Sequence, residues 1–166
     1  MLTPSSPIIF LNPNVLAPVF HIGAVSSTQA AVGLVGGAMR DEPIEALAWL
    51  ASRIGAAIVG TGDPLSGTDA RDMLLSRGLR APWAPDWFAH KTLIERFAGI
   101  SSWLDRHGAR TSIIIDGPPP RNAMAPRAAA GSIVMTVTDG AQITMAACTR
   151  VAGIIADRAA PSPAAR

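Results

Sequence analysis

The sequence predicts an α/β protein: a three-layer, mainly parallel sheet with helices on both faces. Short apolar runs alternate along the chain with stretches whose apolar residues recur at helical spacing. The run "TSIIID" (111–116) is apolar without a break until its last residue, the mark of a strand covered on both faces. Several helical stretches open on a capping residue and close on glycine, so strand and helix units repeat along the chain.

The elements follow in order. "PIIFL" (7–11) and "VLAPVF" (15–20) are apolar runs interrupted by prolines, so one of the two is expected to be a central strand. "FHIGAVSSTQAAVGLVGGA" (20–38) has the form of a glycine-containing turn feeding a small-residue helix from about Ser27 to Met39. "DEPIEALAWLASRIG" (41–55) is the better helix: Asp41 can cap, Pro43 suits the first turn, Ile44, Leu47, Ala48 and Leu50 share a face, and Gly55 ends it. "AAIVG" (56–60) is a short buried strand candidate.

A helix over 68–77 opens on a threonine and closes on Gly78. "LRAPWAPDWF" (79–88) reads as a proline-rich loop carrying Trp83, Trp87 and Phe88. A long helix is expected from about His90 to His107, with Leu93, Ile94, Phe97, Ile100 and Leu104 on one stripe and Gly108 as its stop. After "TSIIID" the run "GPPP" breaks the strand, and a small helix is expected over 121–130. "SIVMTV" (132–137) reads as another buried strand, and a last helix covers about 141–157. The chain is expected to form a single α/β domain over 1–158 with a disordered tail over 159–166.

A chain of 166 residues suits one domain with a real core. It is 49% hydrophobic and 16% charged, with a mean hydropathy of +0.30, so some apolar surface is expected to enter a homodimer or another protein interface. No run approaches the ~18 apolar residues of a membrane span, and "MLTPSSPIIF" lacks the basic start and long apolar core of a signal peptide. A cytoplasmic protein is the simplest expectation, and the lone Cys148 leaves no internal disulfide. Of the 14 basic residues only Lys91 is a lysine. The arginines are scattered, without the clustered runs of a nucleic-acid groove, so specific nucleic-acid binding is not expected.

Ligands of parallel sheets bind beyond the carboxyl ends of the strands. Three loops gather interest for that reason: "HIGAVSST", "GTGDPLSGT" and "DGPPPRN". Their order resembles the ParA and MinD family of deviant P-loop ATPases, whose nucleotide loop reads roughly KGGVGKTT followed by TAVNLA. Gly23, Val25, Thr28, Ala31, Val32 and Leu34 stand in matching places. "TGDP" keeps Asp63 and Pro64 of the family's Asp-x-Asp-Pro pattern, with Thr61 in place of the first aspartate. "IIIDGPPP" matches the aspartate and two prolines of the Walker B region through Asp116, Pro118 and Pro119.

The resemblance implies a P-loop NTPase-like, Rossmann-like core that binds ATP or ADP with Mg²⁺. It implies a nucleotide site of Gly23, Ser26, Ser27, Thr28, Asp63 and Asp116, with Thr28 and Asp116 toward the Mg²⁺. The departures are chemical. A phosphate loop needs backbone N–H groups turned into one concavity, a lysine on the terminal phosphates and a hydroxyl on magnesium. Here Ser27 stands at the phosphate lysine, Ile22 at the signature lysine and Ser26 at a glycine. Lys91 is too distant in sequence to restore either role. Losing that charge removes rate by orders of magnitude where catalysis is electrostatic. The resemblance therefore implies a non-hydrolysing relative acting by protein association, in positioning or partitioning. Gly23, Ser26, Ser27 and Thr28 could still offer donors to an anion, or could belong to a helix chosen for close packing.

Asp116 and Asp63 are equally suited to cap the turns that follow them. His21, His90 and His107 lie far apart with no second ligand at metal spacing, and no G-x-S-x-G elbow occurs. Arg121 is the one basic residue placed to replace a lysine near "DGPPP". Residues 10–63 also resemble the N-terminal half of β-ketoacyl synthases, through Phe10, Asn12 and the Gly-rich middle. Without a cysteine there, that resemblance implies a non-catalytic, chain-length-factor-like piece. A small-molecule enzyme using the strand-end crevice is a further alternative.

Overall fold

The structure is a computed structural model that describes residues 6–16, 41–62, 71–90, 97–108, 111–118, 131–137 and 143–159. Strands β1 (Ile8–Leu11), β2 (Ala57–Gly62), β3 (Trp83–His90), β4 (Ser112–Asp116) and β5 (Ile133–Thr136) form one sheet in the order β3–β2–β1–β4–β5. Every neighbouring pair is parallel. Helices α1 (Asp41–Ile54), α2 (Ala98–His107) and α3 (Met145–Ala159) cover its two faces, giving the three-layer, Rossmann-like α/β fold.

Alternation along the strands divides the core. Ile9, Leu11, Ile58, Ile113 and Ile115 point to one face, where they meet Leu47 and Leu50 of α1 and Cys148 and Val151 of α3. Ile8, Phe10, Val59 and Ile114 point to the other and meet Ile100, Trp103 and Leu104 of α2. Strands buried on both faces must be apolar at every position, which is why "IIFL" and "III" carry no polar alternation. The chain lays down strands in one direction from β1 to β3 and then reverses to β4 and β5. Crossovers of one hand therefore change faces at the reversal, and α2, which follows β3, lies opposite α1.

Local signals set the helix ends. Gly55, at φ +64°, lets Ala56 N–H reach Ala51 O at 2.9 Å and Gly55 N–H reach Ser52 O at 3.3 Å, closing α1 in a Schellman turn. Gly78, at φ +95°, closes the helical segment 71–76 the same way, through Leu79 N–H to Leu74 O at 2.9 Å. Asp41 and Glu42 stand in the first turn of α1, where the helix dipole favours negative charge.

Several expectations are corrected. Of the two early apolar runs, 8–11 is the central strand, and Pro13–Leu16 turns into a 3-10 helix. The expected loop 79–88 is in large part edge strand β3. Prolines are tolerated there because Pro82 needs only its carbonyl, which accepts from Ile58 N–H at 2.8 Å, and Pro85 lies in a bulge. The register jumps from Ile58↔Trp83 to Gly60↔Phe88, so residues 84–87 face the single residue Val59.

His90 belongs to that strand, and the helix expected from it is described from Ala98. Among the described residues "SIVMTV" is an edge strand, paired with β4 alone, and it is not a buried one: Val134 is 42% exposed. The last helix runs 145–159 rather than 141–157, since Thr144 Oγ1 accepts from Ala147 N–H at 3.2 Å and so sets the cap. The helices expected over 27–39 and 121–130, and residues 160–166 of the expected tail, lie outside the described residues.

Candidate functional site at the strand ends

The order β3–β2–β1–β4–β5 reverses between β1 and β4, and ligands of open parallel sheets bind at such a switch point beyond the carboxyl ends of the strands. Two buried polar residues meet there. Asn12 follows β1 directly and is 8% exposed, and Asp116 ends β4 and is 2% exposed. Asn12 Nδ2 donates to Asp116 Oδ1 at 2.7 Å, and Gly117 N–H donates to the same oxygen at 2.8 Å. Burying a carboxylate is costly unless donors replace its water, and these two replace part of it.

The backbone fixes both residues. Asn12 N–H donates to Ile115 O at 3.0 Å, and Asn12 O accepts from Val15 N–H at 3.1 Å as the chain turns into the 3-10 helix. Asp116 O accepts from Val137 N–H at 2.8 Å, which ties β4 to the end of β5. Gly62 at the end of β2 has φ +139°, and a Cβ there would stand 4.0 Å from Asn12 Oδ1. Thr61 beside it is 3% exposed. Asn12 therefore sits among the ends of β1, β2 and β4.

Of the six residues predicted for the site, Asp116 stands at the switch point. Gly23, Ser26, Ser27, Thr28 and Asp63 lie outside the described residues, as do Lys91 and Arg121. Asp63 directly follows Gly62 in the chain. Among the described residues, no three His, Cys, Asp or Glu side chains gather as a metal site, and of the Mg²⁺ pair, Thr28 and Asp116, only Asp116 is described. Asn12 was not weighed for this site by sequence reasoning. Its signal was a polar residue placed immediately past a wholly apolar strand, before a proline.

A second cluster was also missed. Asp86, in the β3 bulge, is held by three residues near the end of α2. His107 Nε2 donates to Oδ2 at 2.9 Å, Arg106 Nη2 to Oδ2 at 3.2 Å, and Trp103 Nε1 to the main-chain oxygen at 2.7 Å. The His107 hydrogen bond, more than the Arg106 charge, holds the Asp86 carboxyl below its usual range. Cys148 lies in the core, where burial pushes its thiol up to about 11, so it serves as a packing residue.

The chain matches no protein-family model, no curated protein and no solved structure. Among the described residues, no helix is long and apolar enough to cross a membrane.

Proposed function

We propose that this chain is a non-hydrolysing protein of the ParA and MinD kind, which works by associating with a second copy or another protein. The observation that supports it best is the state of Asp116. In a hydrolysing relative this carboxylate serves magnesium through water; here it is 2% exposed, and its Oδ1 is engaged by the Asn12 amide and Gly117 N–H. A carboxylate used this way ties the sheet together at its switch point.

The absence of a loop lysine from the sequence agrees with that role. Association draws support from the surface, where Leu75, Met145, Val134 and Ile154 are each at least 42% exposed. The P-loop reading puts "IIID" inside the sheet beside the "HIGAVSST" loop: β4 lies between β1 and β5, which agrees with the first part, and the loop lies outside the described residues.

Calorimetric titration with ATP and ADP, with and without Mg²⁺, tests this reading, together with light scattering for assembly state. The expected result is assembly beyond a monomer and no turnover. Micromolar nucleotide binding lost in Ser27→Glu would make the association nucleotide-sensing. Magnesium-dependent ATP turnover abolished by Thr28→Ala or Asp116→Ala would overturn it.

A further inference from the structure

Helix α3 buries Ala147, Cys148, Val151, Ala152 and Ile155 and turns its opposite face outward. Arg150, Gly153, Ile154 and Asp157 share that outer face, and all are exposed. Packing within the chain does not call for Gly153. Glycine weakens a helix interior relative to alanine, yet a Cβ here would meet nothing within 4 Å among the described residues. The two charges are unused as well. Arg150 and Asp157 stand two helical turns apart, about 10 Å along the axis, too far to pair with each other on one helix. Among the described residues neither forms an ion pair.

We propose that a second copy of this chain docks on this face, with the two α3 helices antiparallel across a two-fold axis at the Gly153–Ile154 peptide. Arg150 and Asp157 are equally far along the helix from that peptide, so the axis sets Arg150 of each copy opposite the partner's Asp157. At the axis each glycine meets its own copy, and the missing side chains let the two backbones approach closely. Ile154, exposed in the single chain, is covered there too. Size and charge thus select the same axis independently. Toward α1, Gly153 borders a groove of about 530 Å³ walled by Trp49 and Ile54. That groove carries the contact beyond one helix, toward the roughly 800 Å² per partner of a stable dimer. This docking rests on the reading of the chain as an associating protein, and it selects a second copy as the partner.

Sedimentation velocity of the intact chain over a range of concentrations tests it, with circular dichroism to check that each variant folds. The wild type is expected to form a dimer. Arg150→Asp and Asp157→Arg each set like charges opposite one another twice, and each should weaken the dimer about tenfold or more. The double reversal Arg150→Asp/Asp157→Arg restores both pairs, and should bring the affinity back to within about threefold of the wild type. Gly153→Leu should give a folded monomer, because the added side chain has open space in the single chain. A dimer indifferent to these variants, or one that the double reversal does not restore, overturns this docking and leaves the reading of association standing. A monomer at every concentration overturns this docking and self-association with it.

Discussion

Asn12 and Asp116 are 104 residues apart in the chain, yet the amide of one donates to the carboxylate of the other at 2.7 Å. The bond joins the carboxyl ends of β1 and β4, the two strands between which the sheet changes direction. Truncating Asn12 to alanine leaves the Asp116 carboxylate buried with one donor fewer. Hydrogen bonds to charged groups contribute about 1.5–3 kcal/mol, so Asn12→Ala is expected to lower unfolding stability by that order. Urea denaturation measures it. In the double variant Asn12→Ala/Asp116→Asn the two losses should be less than additive, because the two residues share one bond. Additive losses would separate the pair energetically.

Asp86 supplies a pH dependence whose sign is fixed by its shift. Its folded pKa lies below the ordinary value of 3.8, with the His107 hydrogen bond as the largest cause. The stabilisation is therefore present above pH 3.8 and is lost as pH falls through the lower, folded value. Both partners are partly solvated, with side chains 33% and 41% exposed, so the effect on global stability is small. Carboxyl NMR titration should place the Asp86 midpoint below 3.8 and move it upward in His107→Gln. An unmoved midpoint would mean that Arg106, and not His107, sets the shift.

Trp103 ties α2 to β1 and to the β3 bulge. It is 2% exposed, packs edge to face on Phe10 of β1 with centroids 5.5 Å apart, stacks on His107 at 4.2 Å, and donates its N–H to Asp86 O at 2.7 Å. Trp103→Ala should cost about 3–5 kcal/mol, the range for deleting a large core aromatic. Trp103→Phe keeps most of the packing and removes the bond to the bulge, for a loss of about 1 kcal/mol. Chemical denaturation of the two variants separates packing from anchoring. Equal losses would assign the whole contribution to the hydrogen bond.

What could be read from the sequence was what is decided locally. Helix α1 announces itself through Asp41, Pro43 and Gly55, and the structure closes it on Gly55. Strand β4 announces itself through unbroken apolar character, because a strand covered on both faces has no polar positions. Strand β3 was hidden since its prolines and tryptophans fit a loop equally well. What makes it a strand is an edge position beside β2 and the capture of Asp86 by residues 17 to 21 positions later. "SIVMTV" carries no mark of being an edge, as that depends on the order of strands rather than on its own residues. Asp116 was legible as a strand-end carboxylate, whereas its partner Asn12 was not, because nothing local relates positions so far apart.

Cys148 offers a probe of the core that needs no substitution. It is fully buried on α3 in the cluster with Leu47, Leu50 and Val151, and burial raises its pKa to about 11. At pH 8 such a thiol is ionised to roughly one part in a thousand, and the thiolate is the reactive form. Access is blocked as well, so labelling must wait for the core to open. An aromatic disulfide reagent at pH 8 is therefore expected to leave the native protein unlabelled over minutes and to label one thiol per chain at once in denaturant. Raising reagent concentration should not speed native labelling once opening limits the rate. Prompt labelling of the native protein, proportional to reagent, would place the thiol at a solvent-open position between α1 and α3 and contradict the packing of that face.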